Sequence, residues 1–143
     1  MHIKEVTANT TEVSEAISRL LRQLTTNERQ ITESYLKALI ASENSHLFVA
    51  VDDGGTIAGM ITVGTYLAPT GRKGWIEDVV VDDTYRGRGL GKLLVRHAIE
   101  FAKQAQLSLL SLTSNPSRIA ANQLYPKTGF SLKETNVYVM NLN

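Results

Sequence analysis

The sequence contains no cysteine, which excludes disulfides, thiolate zinc sites and a cysteine nucleophile together. Nowhere do apolar residues approach the ~18 in succession that a membrane-crossing helix requires. Met1 to Thr10 has neither the basic start nor the hydrophobic stretch of a secretory signal. A cytoplasmic protein with no membrane partner is expected. Charge of one sign is lacking as well: the formal net charge is +1, so no overall field favours a polyanion, and nucleic acid is not an expected partner. Internal repeats, low-complexity tracts and linkers are also absent. What remains is a 143-residue chain, 43% hydrophobic and 20% charged, long enough to bury roughly 68–70% of its unfolded surface. It reads as one domain spanning 1–143.

The apolar pattern gives the element order. "HIKEV" (2–6) reads as a short strand, followed by Thr and Asn residues suited to capping a helix. Val13, Ile17, Leu20, Leu21 and Leu24 then recur at helical spacing. After the polar break "TTNERQ" (25–30), Ile31, Tyr35, Leu39 and Ile40 repeat that spacing and predict a second helix. "HLFVAV" (46–51) is a buried strand, and "DDGG" (52–55) turns it into "TIAGMITVGTY" as a hairpin. A polar loop with Pro69, Gly71 and Gly74 leads into the strand "WIEDVVV" (75–81). Leu90, Leu94, Ala98, Phe101 and Ala105 line one face of a helix reaching Gln104. "LSLLSLT" (107–113) is a strand lying parallel to "WIEDVVV", since a crossover helix separates them. Residues 117–127 read as a helix and "NVYVMNL" (136–142) as a final strand. The order is β-α-α-β-β-β-α-β-α-β, an α/β or α+β domain with a mixed central sheet of six or seven strands and four helices.

The most informative stretch is "YRGRGLGKLL" (85–94), where three glycines alternate with cations immediately before a helix. A helix N-terminus offers unpaired N–H groups and a positive dipole end to a phosphate. Glycines let the backbone approach the anion, while Arg86, Arg88 and Lys92 add charge at its rim. Spacing removes two phosphate loops. A P-loop needs glycine where Arg86 stands and a hydroxyl where Leu93 stands. A dinucleotide fingerprint needs glycine where Lys92 stands. What remains is Arg86-x-x-Gly89-x-Gly91 between a strand and a helix.

That pattern, [QR]-x-x-G-x-[GA] after an acidic-to-apolar strand, resembles the acetyl-CoA loop of the GNAT superfamily of N-acetyltransferases. "AANQLYPKTGF" (120–130) is similar to the family's later A-x-x-x-Y-x-x-x-G-F segment, and the element order resembles its fold. The likeness covers residues 3 to 142, is strongest from 75 to 130 and weakest in the first two helices. "IEDVVV" with the glycine loop also looks similar to glucosamine-6-phosphate N-acetyltransferases, in which the acidic pair contacts the sugar. Asp83 stands where many relatives have proline, and Arg118 where many have a cofactor-touching asparagine.

The resemblance implies acetyl-CoA as cosubstrate, bound by the loop residues Arg86, Gly87, Arg88, Gly89, Leu90, Gly91 and Lys92. The backbone of Val79, Val80 and Val81 would lie along the pantetheine arm and offer an N–H to a developing oxyanion. Asn115, or Arg118 itself, would replace the missing asparagine contact. An amine acceptor must lose a proton, for which a carboxylate serves as general base, Glu77 first and Asp78 second, and both are candidate acceptor contacts. A bulge in their strand is also implied by the resemblance. Tyr125, a phenol of ordinary pKa ~10, would protonate the departing thiolate; on its own, a helix tyrosine three before an apolar contact reads as packing. The three histidines have no metal-ligand spacing, and no metal is expected.

The expected activity is direct transfer of an acetyl group to an amine in a ternary complex. The acceptor is a small amine, an amino sugar or a protein lysine. The alternative is a non-catalytic module that binds or senses CoA or another phosphate ligand. A homodimer is left open by the resemblance. The residues that choose the acceptor are expected around "LTTNERQ" (24–30) and the loop 65–74, neither of which carries a recognisable code.

Overall fold

In a computed structural model, which describes residues 1–25 and 30–143, the chain forms two compact units, 1–113 and 114–143. The first contains β1 (His2–Glu5), α1 (Thr11–Leu24), α2 (Glu33–Ala41), β2 (Ser45–Val51), β3 (Ile57–Ala68), β4 (Gly71–Val81), α3 (Leu90–Gln104) and β5 (Leu109–Ser111). A 3₁₀ turn, Asp83–Tyr85, joins β4 to α3. Its strands form a five-stranded sheet in the order β1-β2-β3-β4-β5. Pairing is antiparallel from β1 to β4 and parallel between β4 and β5.

Local chemistry sets the helix starts. The Thr10 hydroxyl accepts the Val13 N–H at 3.2 Å, and the Thr32 hydroxyl accepts the Tyr35 N–H at 3.1 Å. Each satisfies an orphan donor of the first turn. The continuous apolar run of β2 follows from burial on both faces. Leu47, Val49 and Val51 join Ile17, Leu20, Leu36 and Met60 in a core under α1 and α2. Phe48, on the other face, meets the rings of His97 and Phe101 from α3. Leu94, Val95 and Ala98 bring the buried stripe of α3 onto that face. A Cβ on Gly59 of β3 would lie 2.9 Å from the Val80 carbonyl oxygen and 3.1 Å from Leu94. The bare backbone at Gly59 therefore lets the first turns of α3 approach the sheet closely, which fixes the loop in front of α3.

Two expectations require correction. The polar loop expected at 69–74 is a tight turn at Pro69 and Thr70, and β4 already begins at Gly71. Gly71 and Gly74, expected in the loop, lie in β4, where a Cβ on Gly74 would meet Leu107 at 2.5 Å and Leu110 at 3.3 Å. Here glycine serves close packing over a strand. The strand expected at 136–142 is not formed, so the sheet has five strands among the described residues where six or seven were expected. In the second unit only α4 (Ile119–Lys127) is regular, and no strand is present there to supply a ladder partner. Val137, Tyr138, Val139, Met140 and Leu142 are correspondingly exposed. Alternating apolar residues specify a strand only when another strand accepts their backbone groups. The α/β class, the four α-helices among the described residues and the parallel β4–β5 pair are as expected.

Candidate active site

Two features of β4 create the first half of the site. Its parallel pairing with β5 runs from Lys73 opposite Leu109 to Trp75 opposite Ser111 and stops there, while β4 continues to Val81. Beyond Trp75 the β5-facing edge of β4 has no ladder partner among the described residues. That edge offers backbone donors and acceptors to an extended ligand. Secondly, Thr62 pairs with Glu77 but Met60 with Val80, so Ile61 alone stands opposite Asp78 and Val79. This bulge, with Asp78 at φ 51°, is the irregularity that the family resemblance implied, and it breaks the alternation that would set Glu77 and Asp78 on opposite faces. Glu77 and Asp78 are both exposed, whereas Val80 belongs to the core. Partial burial, and next the charge of Asp78, hold the Glu77 carboxyl above the ordinary range.

The chain then turns through Asp82–Arg86 into the glycine loop. Gly87 and Gly89 adopt φ 78° and 75°, the left-handed region in which a Cβ is strained. Gly89 caps α3 in that conformation, and no side chain caps the helix. The first helical bond at this end joins the Leu93 N–H to the Gly89 carbonyl at 3.1 Å. The N–H groups of Leu90, Gly91 and Lys92 are thus the orphan donors of the first turn. No acidic residue stands in that turn. Open space surrounds Gly87 and Gly89, so the loop suits a phosphate at the positive end of α3. A pocket of about 340 Å³ beside it is lined by Met1, Tyr85, Arg88, Gly89, Leu90 and Leu93. Lys92 is exposed. Arg86 is turned back to Asp83, its Nη2 lying 2.8 Å from Oδ1.

Several residues that hold this loop are not apparent from sequence. Asp82, buried at the end of β4, accepts Arg19 Nε at 3.1 Å and both the N–H and hydroxyl of Thr84, at 3.0 and 2.9 Å. Burial pushes the Asp82 carboxyl up, but the hydrogen bonds from Thr84 and the Arg19 charge outweigh it and leave it below its usual range. Arg19 also donates to the Ile57 carbonyl at 2.6 Å, which ties α1 to both β3 and the loop. The Asp83 N–H donates to Gln23 Oε1 at 2.9 Å. The proline common at this position in relatives would lack that donor. On the other side, the Tyr85 hydroxyl donates to Asp52 of the β2–β3 hairpin. In sequence, Arg19 and Gln23 are simply the polar face of a helix, and the Asp-Gly step at Asp53 signals only a turn.

The remaining candidates lie in the second unit. Asn115 Oδ1 accepts the N–H and hydroxyl of Ser117 at 2.9 and 2.8 Å, and its carbonyl accepts Asn122 Nδ2 at 2.8 Å. That turn leads into α4, where Arg118 is the cap residue. Tyr125 packs edge-on against Phe130, the centroids 6.0 Å apart. Its carbonyl accepts the Phe130 N–H at 3.1 Å and the Thr128 hydroxyl at 2.8 Å. The packing role expected of such a tyrosine is therefore present. Burial, partly opposed by the charge of Arg118, raises the phenol pKa. Of the segments expected to choose the acceptor, residues 26–29 lie outside the described residues. The other, 65–74, is the end of the β3–β4 hairpin. No cluster of carboxylates and histidines suited to a metal ion occurs among the described residues, and none of their helices is long and apolar enough to cross a membrane.

A mixed sheet whose parallel pair stops short of a glycine-rich helix N-terminus is the α/β arrangement that the acetyltransferase resemblance implies. Residues 14–130 match the profile of the Acetyltransferase (GNAT) family, and the chain belongs to that family. It is 30% identical over 134 residues to glucosamine 6-phosphate N-acetyltransferase 1 of Oryza sativa subsp. japonica, covering 88% of this chain and 79% of the relative. Streptothricin acetyltransferase of Streptomyces lavendulae is 36% identical over 88 residues, 62% of this chain and 46% of that protein, so the chain spans under half of that relative's length. Among solved structures, a putative acetyltransferase from Agrobacterium tumefaciens superimposes with a TM-score of 0.87 at 23% identity, covering 99% of this chain and 100% of the other. That likeness shows the fold.

Proposed function

We propose that this chain transfers an acetyl group from acetyl-CoA to a primary amine by direct transfer in a ternary complex. The observation that carries the reading is the uncapped start of α3 behind two left-handed glycines, adjoining a strand edge that loses its partner after Trp75. In this reading the N–H groups from Gly87 to Lys92 hold the pyrophosphate, helped by the cations Arg86, Arg88 and Lys92, and the backbone of Val79 to Val81 lies along the pantetheine arm. Asn115 is assigned to the cofactor as well. Acetyl-CoA supplies the activated acetyl group; the chain aligns it and handles the protons.

Glu77 accepts the proton of the amine, directly or through water, and its raised pKa brings its basicity nearer to that of its task. An N–H of Val79 to Val81 faces the oxygen on which charge develops. Tyr125 supplies the proton to the leaving thiolate, which a phenol of raised pKa can do because it remains protonated at neutral pH. Asp78, beside Glu77 on the bulge, is the acceptor-side contact. The acceptor is a small amine, an amino sugar or a protein lysine, and the activities for which the rice and Streptomyces relatives are named support small molecules. A cytoplasmic setting is part of this reading.

The test is acceptor-dependent release of free thiol from acetyl-CoA across an amine panel that includes glucosamine 6-phosphate, other amino sugars, polyamines and lysine peptides, with products read by mass spectrometry. Turnover with a member of the panel is expected. Tight CoA binding with no acceptor-dependent thiol release would instead establish the non-catalytic module.

A further inference from the structure

Arg88 stands between two glycines in left-handed conformations, Gly87 and Gly89, so its own backbone does little to fix its side chain. Its position is set from outside. The guanidinium carbon lies over the Tyr85 ring, 5.2 Å from the centroid. The far end of that ring is held in turn by the hydroxyl's hydrogen bond to Asp52. Asp52 is itself fixed within its hairpin, since its Oδ1 accepts the N–H groups of Gly54 and Thr56 at 2.9 and 2.8 Å. Its remaining oxygen, Oδ2, faces Tyr85. The phenol hydrogen bond, then those from Thr56 and Gly54, keep this carboxyl below its usual range, so the acceptor stays ionised. A chain of contacts thus runs from the β2–β3 hairpin through a ring to a guanidinium at the loop.

We propose that the Asp52–Tyr85 hydrogen bond is a tether that presets the Arg88 guanidinium for a phosphate of CoA; the inference rests on the acetyl-CoA reading above. A guanidinium stacked on an aromatic face keeps its N–H edge free, and phosphate oxygens are recognised along that edge. Arg88 is also the loop arginine that joins no ion pair among the described residues, whereas Arg86 is paired with Asp83. Without the tether the ring would be free to turn about its side-chain bonds, and the flanking glycines would let Arg88 disperse over many orientations. Binding would then have to bear that ordering. Tyr85 and Asp52 are thus positioning residues, acting on the ligand through Arg88.

Calorimetric titration with CoA tests this through a double-mutant cycle. Tyr85→Phe, which keeps the ring and loses only the hydroxyl, is expected to raise the Kd roughly 5- to 10-fold. In an Arg88→Ala background the same change is expected to alter the Kd by less than ~2-fold, because the residue it acts through is gone. Asp52→Asn, which retains an oxygen for the hairpin caps and replaces the ionised acceptor facing Tyr85 by a neutral amide that holds the phenol more weakly, provides a second route should Tyr85→Phe lower the thermal midpoint into the titration range. It is expected to weaken CoA binding in the presence of Arg88 and to be silent in its absence. An unchanged Kd in both variants, or equal losses with and without Arg88, overturns the tether and leaves the acetyl-CoA reading intact. Failure of the unaltered protein to bind CoA overturns both.

Discussion

Glu77 and Asp78 occupy consecutive positions at a bulge in β4, and partial burial together with the neighbouring charge of Asp78 holds the Glu77 carboxyl above its ordinary range. If Glu77 takes the amine proton, only its ionised form is competent. The acid limb of kcat/KM is therefore expected to lie above the usual carboxylate value rather than at it. Glu77→Gln should remove that limb and lower kcat by ~10²- to 10⁴-fold. Asp78→Asn should shift the limb to lower pH, since one of the two causes of the raised pKa is gone. A pH profile of Glu77→Gln identical to that of the unaltered protein would remove the base assignment.

The same bulge imposes a backbone requirement at Asp78. Its φ of 51° is costly for an L-residue, by ~1–2 kcal/mol, and is visited most readily by glycine, asparagine and aspartate. Asp78→Gly is therefore expected to equal or exceed the unaltered protein in urea unfolding. Asp78→Val, with a branched Cβ, should lose ~1–2 kcal/mol or straighten the strand. A valine variant that keeps both stability and activity would show that the bulge does not depend on this position.

The parts of this fold that the sequence made legible are those whose partners are close or obligatory. Leu90, Leu94 and Ala98 must bury a stripe, Asp53-Gly54 must turn, and "LFVAV" is too apolar for anything but a strand covered on both faces. The loop 86–92 was legible because only glycines tolerate its dihedral angles and only a small set of spacings holds phosphate. Gly74 misled because glycine has two uses, turning the chain and allowing close packing, and only the position of Leu107 reveals which applies. The alternation in 136–142 misled for a related reason, since a strand depends on its partner. Arg19, Gln23 and Asp52, which hold the loop through Asp82, Asp83 and Tyr85, meet these partners from 33 to 63 residues away in the chain. No local pattern marks such long-range polar pairs.

Arg19 and Asp82 supply a stability prediction with a defined sign. Asp82 has a lowered pKa in the folded chain. Its contribution is therefore fully present above its unfolded pKa of ~3.9 and is lost as pH falls through the lower folded value. Arg19→Met is expected to cost about 1.5 kcal/mol at pH 7, the low end for hydrogen bonds to charged groups, because the guanidinium is partly exposed. Asp82→Asn should flatten the acid side of the stability curve, and the deficit of Arg19→Met should shrink as pH falls through the lowered folded value of Asp82. Denaturant unfolding at pH 7, 4 and 3 reads all three proteins. A deficit for Arg19→Met that is the same at every pH would mean that its packing and its bond to the Ile57 carbonyl matter more than its ion pair.

Tyr125 can be separated from its packing role by a single atom. Tyr125→Phe keeps the edge contact with Phe130 and the backbone bonds from Thr128 and Phe130, so little loss of thermal stability is expected. The hydroxyl's chemistry is what the substitution removes. As a general acid the phenol must be protonated, and burial raises its pKa above the ordinary value near 10. The unaltered protein should therefore show no alkaline loss of kcat between pH 7 and 9 that is traceable to this group. Tyr125→Phe should lower kcat by ~10²-fold or more across that whole range. Supplying a thioester with a more acidic leaving thiol should restore part of the loss, because that thiolate departs without a proton. If Tyr125→Phe retains full kcat from pH 7 to 9 with acetyl-CoA, Tyr125 is a packing residue and another group, or water, protonates the thiolate.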